Sequence, residues 1–130
     1  MQVRDAMSKE VLIVGPDHTL RQAARMMSER RVGSAVVIDP DSEGIGILTE
    51  RDVLNAIGNG LDCDTEHTGD HLTPEVVYAG PDWTVTEAAA AMARGGFRHL
   101  VVLDGDEVLG VISVRDIVRV WTSEHLAVAA

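Results

Sequence analysis

Apolar residues along this chain fall into short runs and helical stripes, and the same succession occurs twice. Val11 to Val14 and Val76 to Ala79 are apolar runs closed by Gly-Pro-Asp, the mark of short buried strands. After each run the apolar positions take up helical spacing. Leu20, Ala23, Ala24 and Met27 share one face, as do Val85, Ala88, Ala89 and Met92. Each of these helices opens on a capping box, Thr19 to Gln22 and Thr84 to Glu87. Gly95-Gly96 ends the second helix. Further strands follow at "SAVVID" and "HLVVLD", then a hairpin and the strands "GIGIL" and "VLGVI". Asp104-Gly105 suits a tight primed turn. The helices "ERDVLNAI" and "VRDIVRVW" close the two series.

The duplication is visible residue by residue. Gly15-Pro16-Asp17 aligns with Gly80-Pro81-Asp82 at an offset of 65. Thr19 then meets Thr84, Met27 meets Met92, and Val36-Val37 meets Val101-Val102. From Gly46 the offset is 64, so the second copy lacks one residue between Asp39 and Gly46 in first-copy terms. Both versions of that segment form turns, where a length change costs little. The expected organisation is a first repeat at 1–59, a linker at 60–68, a second repeat at 69–122 and a tail at 123–130. Neither copy would bury enough surface alone. The expected fold is α/β (α+β), with two β-α-β-β-α repeats packed as one pseudo-twofold unit.

Composition narrows the function. The 130 residues include only four aromatics, so Val, Ile, Leu, Ala and Met must build the core. The net charge of −10 disfavours nucleic acid and anionic membranes as partners, but leaves room for a small anionic ligand in a locally basic pocket. The single cysteine, Cys63, suits a reducing cytoplasm. The amino terminus has no apolar run of the signal-peptide kind, and no segment approaches the length of a membrane span.

The most specific feature is a doubled phrase. "GILTERD" (Gly46 to Asp52) returns as "GVISVRD" (Gly110 to Asp116). One reading is a helix cap: Thr49 or Ser113 accepts from backbone N–H groups, and Asp52 or Asp116 favours the positive helix end. On that reading Glu or Gln is the ordinary partner, as in the chain's other two boxes, because the shorter Asp is expected to reach back less well. The other reading is a ligand site. A helix N-terminus suits a phosphate, glycine admits a flat base, Arg51 and Arg115 offset charge, and a carboxylate accepts two hydrogen bonds from a ribose diol. No nucleophile–base pair, strong metal set or phosphate-binding glycine loop suggests an enzyme.

Repeats of this order, each ending in G-h-h-T/S-x-R-D, resemble a CBS domain pair, the cystathionine-β-synthase type or Bateman module, here stand-alone. The resemblance covers nearly the whole chain. It implies a regulatory module that binds AMP, ADP, ATP or S-adenosylmethionine in clefts between the repeats, with no catalytic cofactor. Its signal would pass to an unknown effector protein or to a change in assembly. It also implies a homodimer formed through helices, which the small-residue faces Ala23-Ala24 and Ala88–Ala91 would let approach closely. A ligand-free dimerisation scaffold is the alternative. Carried over by position, one nucleotide site joins Thr49, Arg51 and Asp52 with Ile47, Thr73, Val76 and Phe97. The other joins Ser113, Arg115 and Asp116 with Val111, Ser8, Val11 and Val32. Arg98 and His99 stand where the family often contacts phosphate, so the Asp116 site should be the better equipped. Where the family commonly has proline, this chain has Val36 and Val101.

Three other features read as structural. Arg25, Arg30 and Arg31 suit a solvated helix end. Trp83 and Trp121 suit packing or a subunit contact. Cys63, His67 and His71 have the i, i+4, i+8 spacing of metal ligands on a helix, but Gly69 interrupts them and no metal finger has this spacing, which favours a plain polar linker.

Overall fold

The computed structural model describes residues 1–41, 44–74 and 76–129. The chain forms two compact units whose boundaries cut across the repeats. Residues 11–76 make one unit, and residues 1–10 with 77–130 make the other.

In the 11–76 unit, β1 (Ile13–Val14), α2 (Leu20–Arg30), β2 (Ser34–Ile38), β3 (Ile45–Thr49) and α3 (Glu50–Gly58) follow in order; α1 belongs to the other unit. The sheet order is β1-β2-β3, parallel then antiparallel. Leu20, Ala23 and Met27 of α2 bury against Leu12, Val14, Ala35, Val37, Leu48 and Ala56. The 1–10, 77–130 unit has α1 (Val3–Ala6), β4 (Tyr78–Ala79), α4 (Val85–Gly95), β5 (His99–Asp104), β6 (Glu107–Ser113) and α5 (Val114–Ala129). Its sheet order is β4-β5-β6, with the same pair of orientations. Val3 and Ala6 join Ala88, Met92, Leu100, Val102 and Ile112 in its core.

The first strands are shorter than the apolar runs. Only two residues of each pair with the neighbouring strand, so Val11 and Val76 lie outside the ladder. The Val36 N–H extends it by donating to the Leu12 carbonyl at 2.8 Å, a bond a proline there could not make. The length difference between the copies falls in the β-hairpins. Ile38 pairs with Ile45 in the first copy, whereas Asp104 pairs with Glu107 across Gly105-Asp106 in the second. Gly105 takes a positive φ of 59° at the first central turn position, where a two-residue hairpin of the primed kind needs it.

The connector is folded rather than plain. A 3-10 turn at Thr68–Asp70 lies within it, and Thr68 is fully buried. Cys63 sits in the core, His71 pairs with Glu66 at 2.9 Å, and the His67 backbone bridges to Thr19. The three residues therefore do separate structural work, and among the described residues no cluster suited to a metal forms. Arg21 forms an exposed ion pair with Asp64, and this hydrogen bond raises the pKa of its guanidinium. Of the small-residue faces expected at a dimer contact, Ala23 and Ala88 are buried within their own units, whereas Ala24, Ala89 and Ala91 are half-buried and Ala90 is exposed.

These connector bonds have counterparts at the amino terminus. The Leu20, Thr68, Gly69 and Thr73 N–H groups donate to Glu66, His18, Pro16 and Ile47 carbonyls. At the matching positions, Val85, Val3, Arg4 and Ser8 donate to Met1, Trp83, Pro81 and Val111. Residues 66–73 are thus an arm on the 11–76 unit, and residues 1–8 are the equivalent arm on the other. Each copy's leading arm packs on the body of the other copy.

Candidate functional site

Each doubled phrase lies where a strand runs directly into a helix. β3 ends at Thr49 and α3 begins at Glu50; β6 ends at Ser113 and α5 begins at Val114. The extended hydroxyl residue caps the helix while its side chain stays at the sheet end. Asp52 Oδ2 accepts from the Thr49 N–H at 2.8 Å and from its hydroxyl at 3.0 Å, and the Asp52 N–H donates to Thr49 Oγ1 at 3.3 Å. Asp116 and Ser113 repeat these bonds at 2.8, 3.1 and 3.3 Å.

Asp therefore closes a full capping box, contrary to the expectation that it reaches back less well. The longer Gln22 and Glu87 make the corresponding N–H bond at 2.9 and 3.4 Å, from cap residues that are likewise extended. Both acids are half-buried and held in one orientation, while Arg51 and Arg115 are exposed.

In the 11–76 unit, the arm meets the acid: the Thr73 hydroxyl donates to Asp52 Oδ2 at 2.5 Å. Ile47 is buried on β3 and Val76 half-buried, but Phe97 belongs to the other unit. There the Phe97 ring packs against the core and lies over Gly95. In the 1–10, 77–130 unit, Ser8 pairs with Val111 and His99 lies opposite Ser113. Residues opposite on antiparallel strands project from the same face, so His99 and Ser113 emerge together, with exposed Arg98 next in sequence. Val11 and Val32 lie in the 11–76 unit, where Val32 packs against the core. The structure thus groups Thr49, Arg51, Asp52, Ile47 and Thr73, and separately Ser113, Arg115, Asp116, Val111, Ser8, Arg98 and His99, while Val76 only shares the first group's unit.

Arg119 is not among the residues that the sequence singles out. Its Nη2 donates to Asp116 Oδ1 at 3.1 Å and to the Ala6 carbonyl at 2.9 Å. Its spacing three residues after Asp116 was the available clue.

Comparison with known proteins gives a consistent result. The family model for the CBS domain matches residues 3–59 and 69–123. An uncharacterised 17.7 kDa protein of Acidianus ambivalens is 34% identical over 126 residues, covering 95% of this chain and 75% of the relative. A Methanocaldococcus jannaschii protein, MJ1225, is 27% identical, covering 95% of this chain and 45% of its own length. The crystal structure of a protein with CBS domains from Burkholderia ambifaria superposes with a TM-score of 0.88 at 26% identity, covering 96% of both chains. The CBS domain pair of protein MJ0100, in complex with 5′-methylthioadenosine and S-adenosyl-L-methionine, superposes at 0.85 and 21% identity, covering 95% of this chain and 98% of that one. Among the described residues no helix is long and apolar enough to cross a membrane.

Proposed function

The chain belongs to the CBS-domain family, and from that premise we propose that it is a regulatory module whose doubled acids hold the ribose of an adenosine-containing ligand. The observation that carries this reading is the fixed half-buried carboxylate at a strand–helix junction in each unit. Such a carboxylate is already oriented before a diol arrives. The adjoining helix N-terminus and the exposed Arg51 or Arg115 suit phosphate. In the second copy Arg98 adds a cation and His99 a ring nitrogen, so that site is the tighter one. Apolar Ile47 and Val76 suit the base in one site, and Val111 in the other. A domain pair of this fold holds methylthioadenosine and S-adenosylmethionine, which supports the ligand class. The role is regulatory rather than catalytic.

The test is thermal denaturation with AMP, ADP, ATP and S-adenosylmethionine. At a hundredfold excess over Kd, a ligand of the native state adds about 2.7 kcal/mol, which raises Tm by several degrees. No shift with any of the four overturns the reading.

A scaffold role has its own support. Leu54 and Ile57 of α3 are 66% and 57% exposed, and Val118 and Trp121 of α5 are 54% and 55% exposed. Apolar residues this exposed, in a protein with so few aromatics, suit burial in a homodimer. The two roles are compatible, since assembly is one way for a ligand signal to leave.

A further inference from the structure

Each arm reaches its repeated acid, but by different chemistry. In the 11–76 unit the contact is direct and uncharged, from the Thr73 hydroxyl to Asp52. In the other unit Ser8 takes Thr73's place in the backbone pairing with β6, and the acid is met by Arg119 instead. One guanidinium nitrogen, Nη2, donates to both Asp116 Oδ1 and the carbonyl of Ala6, two residues before Ser8. The first copy has Asn55 where the second has Arg119, so the cation is present only once. The Asp116 side chain is 15% exposed and that of Arg119 61%, so the acid is the fixed partner and the guanidinium the adjustable one.

We propose that Arg119 is a positioning residue that couples the Asp116 carboxylate to the amino-terminal arm, so that occupation of this carboxylate by a ribose diol is transmitted to residues 1–8. The ligand half of this inference rests on the ribose-binding reading; the coupling itself does not. Nη2 carries two hydrogens, one for each acceptor, and a planar guanidinium serves both only while carboxylate and carbonyl keep their relative places. Hydroxyls arriving at Asp116 share the lone pairs that hold Arg119, and the bond to the arm weakens with them.

The experiment is amide hydrogen exchange, which reads local opening directly. Val3 and Ser8 report the amino-terminal arm, and the equivalent amides of Thr68 and Thr73 provide an internal reference. In ligand-free protein, Arg119→Gln should raise exchange at Val3 and Ser8 about three- to tenfold and leave Thr68 and Thr73 unchanged. Arg119→Lys should restore part of the protection. Asp116→Asn alone should also raise exchange, and the double variant should be no faster than Arg119→Gln, because the arm senses the acid only through Arg119. Additive effects would overturn the coupling, as would an equal rise in both arms, which signals general destabilisation. AMP at millimolar concentration should then change exchange at Val3 and Ser8 in the wild type but not in Arg119→Gln. If calorimetry shows no binding of AMP, ADP, ATP or S-adenosylmethionine, the ribose reading fails and with it the transmission, while the ligand-free cycle still decides the coupling. If AMP binds and the wild-type arm does not respond, the transmission alone is wrong.

Discussion

Each acid of the doubled phrase has two duties, and substitution separates them. As helix caps, Asp52 and Asp116 make matching bonds, so replacing either by alanine should cost a similar 0.5–1 kcal/mol, roughly, in stability. As ribose acceptors they differ in their surroundings, because only Asp116 has His99 opposite its cap residue and Arg98 beside that. Asp116→Ala should therefore weaken AMP binding about ten- to a hundredfold, the equivalent of about 1.5–3 kcal/mol, and Asp52→Ala by less. Calorimetric titration of both variants checks this; a larger loss in Asp52→Ala reverses the ranking of the sites. The glycine that opens each phrase makes a second comparison. A Cβ on Gly110 would stand 2.4 Å from the Ser8 carbonyl oxygen, whereas one on Gly46 would stand 2.7 Å from the end of the Leu72 side chain. A side chain can turn aside and a paired carbonyl cannot. Gly110→Ala should cost about 1–3 kcal/mol, and Gly46→Ala clearly less, in urea denaturation monitored by circular dichroism.

At the scale of the element, the parts set by local sequence were legible. The capping boxes at Thr19 and Thr84 form as read, with both halves of each box made. The helix and strand order follows the periodicity of the apolar positions. The phrase itself was legible as a cap or a ligand site, and Asp closes the box with the same pair of backbone bonds that Gln22 and Glu87 make. The arms were not legible. Their bonds are mostly backbone to backbone, and of the equivalent positions only Asp5 and Asp70 are identical: fully buried Thr68 stands where the other arm has fully buried Val3. The Thr68 hydroxyl finds its own partner in the Gly15 carbonyl at 2.7 Å. Thr68→Val keeps the volume and removes that bond, so it should cost about 1–3 kcal/mol. The denaturation midpoint measures it, and an unchanged midpoint would mean water replaces the hydroxyl.

For the whole molecule, the exposed apolar residues of α3 and α5 give the testable expectation. Wild-type protein at micromolar concentration should scatter light with the mass of a dimer. Trp121→Asp with Val118→Asp should shift it toward the monomer without loss of helix signal. A wild-type monomer would leave those residues to another partner.

The crossed arms carry a further consequence, which concerns how such a protein can be divided and how it could have begun. A chain holding one copy would have a body with no arm of its own and an arm with no body to lie on. Two such chains would complete each other by exchange, as in domain swapping. Joining them end to end makes the exchange intramolecular, at effective concentrations of the order of millimolar. Severing the protein between the copies should therefore leave two pieces that are incomplete apart and restore each other when mixed. The junction between the repeats is a tether for parts that already interlock.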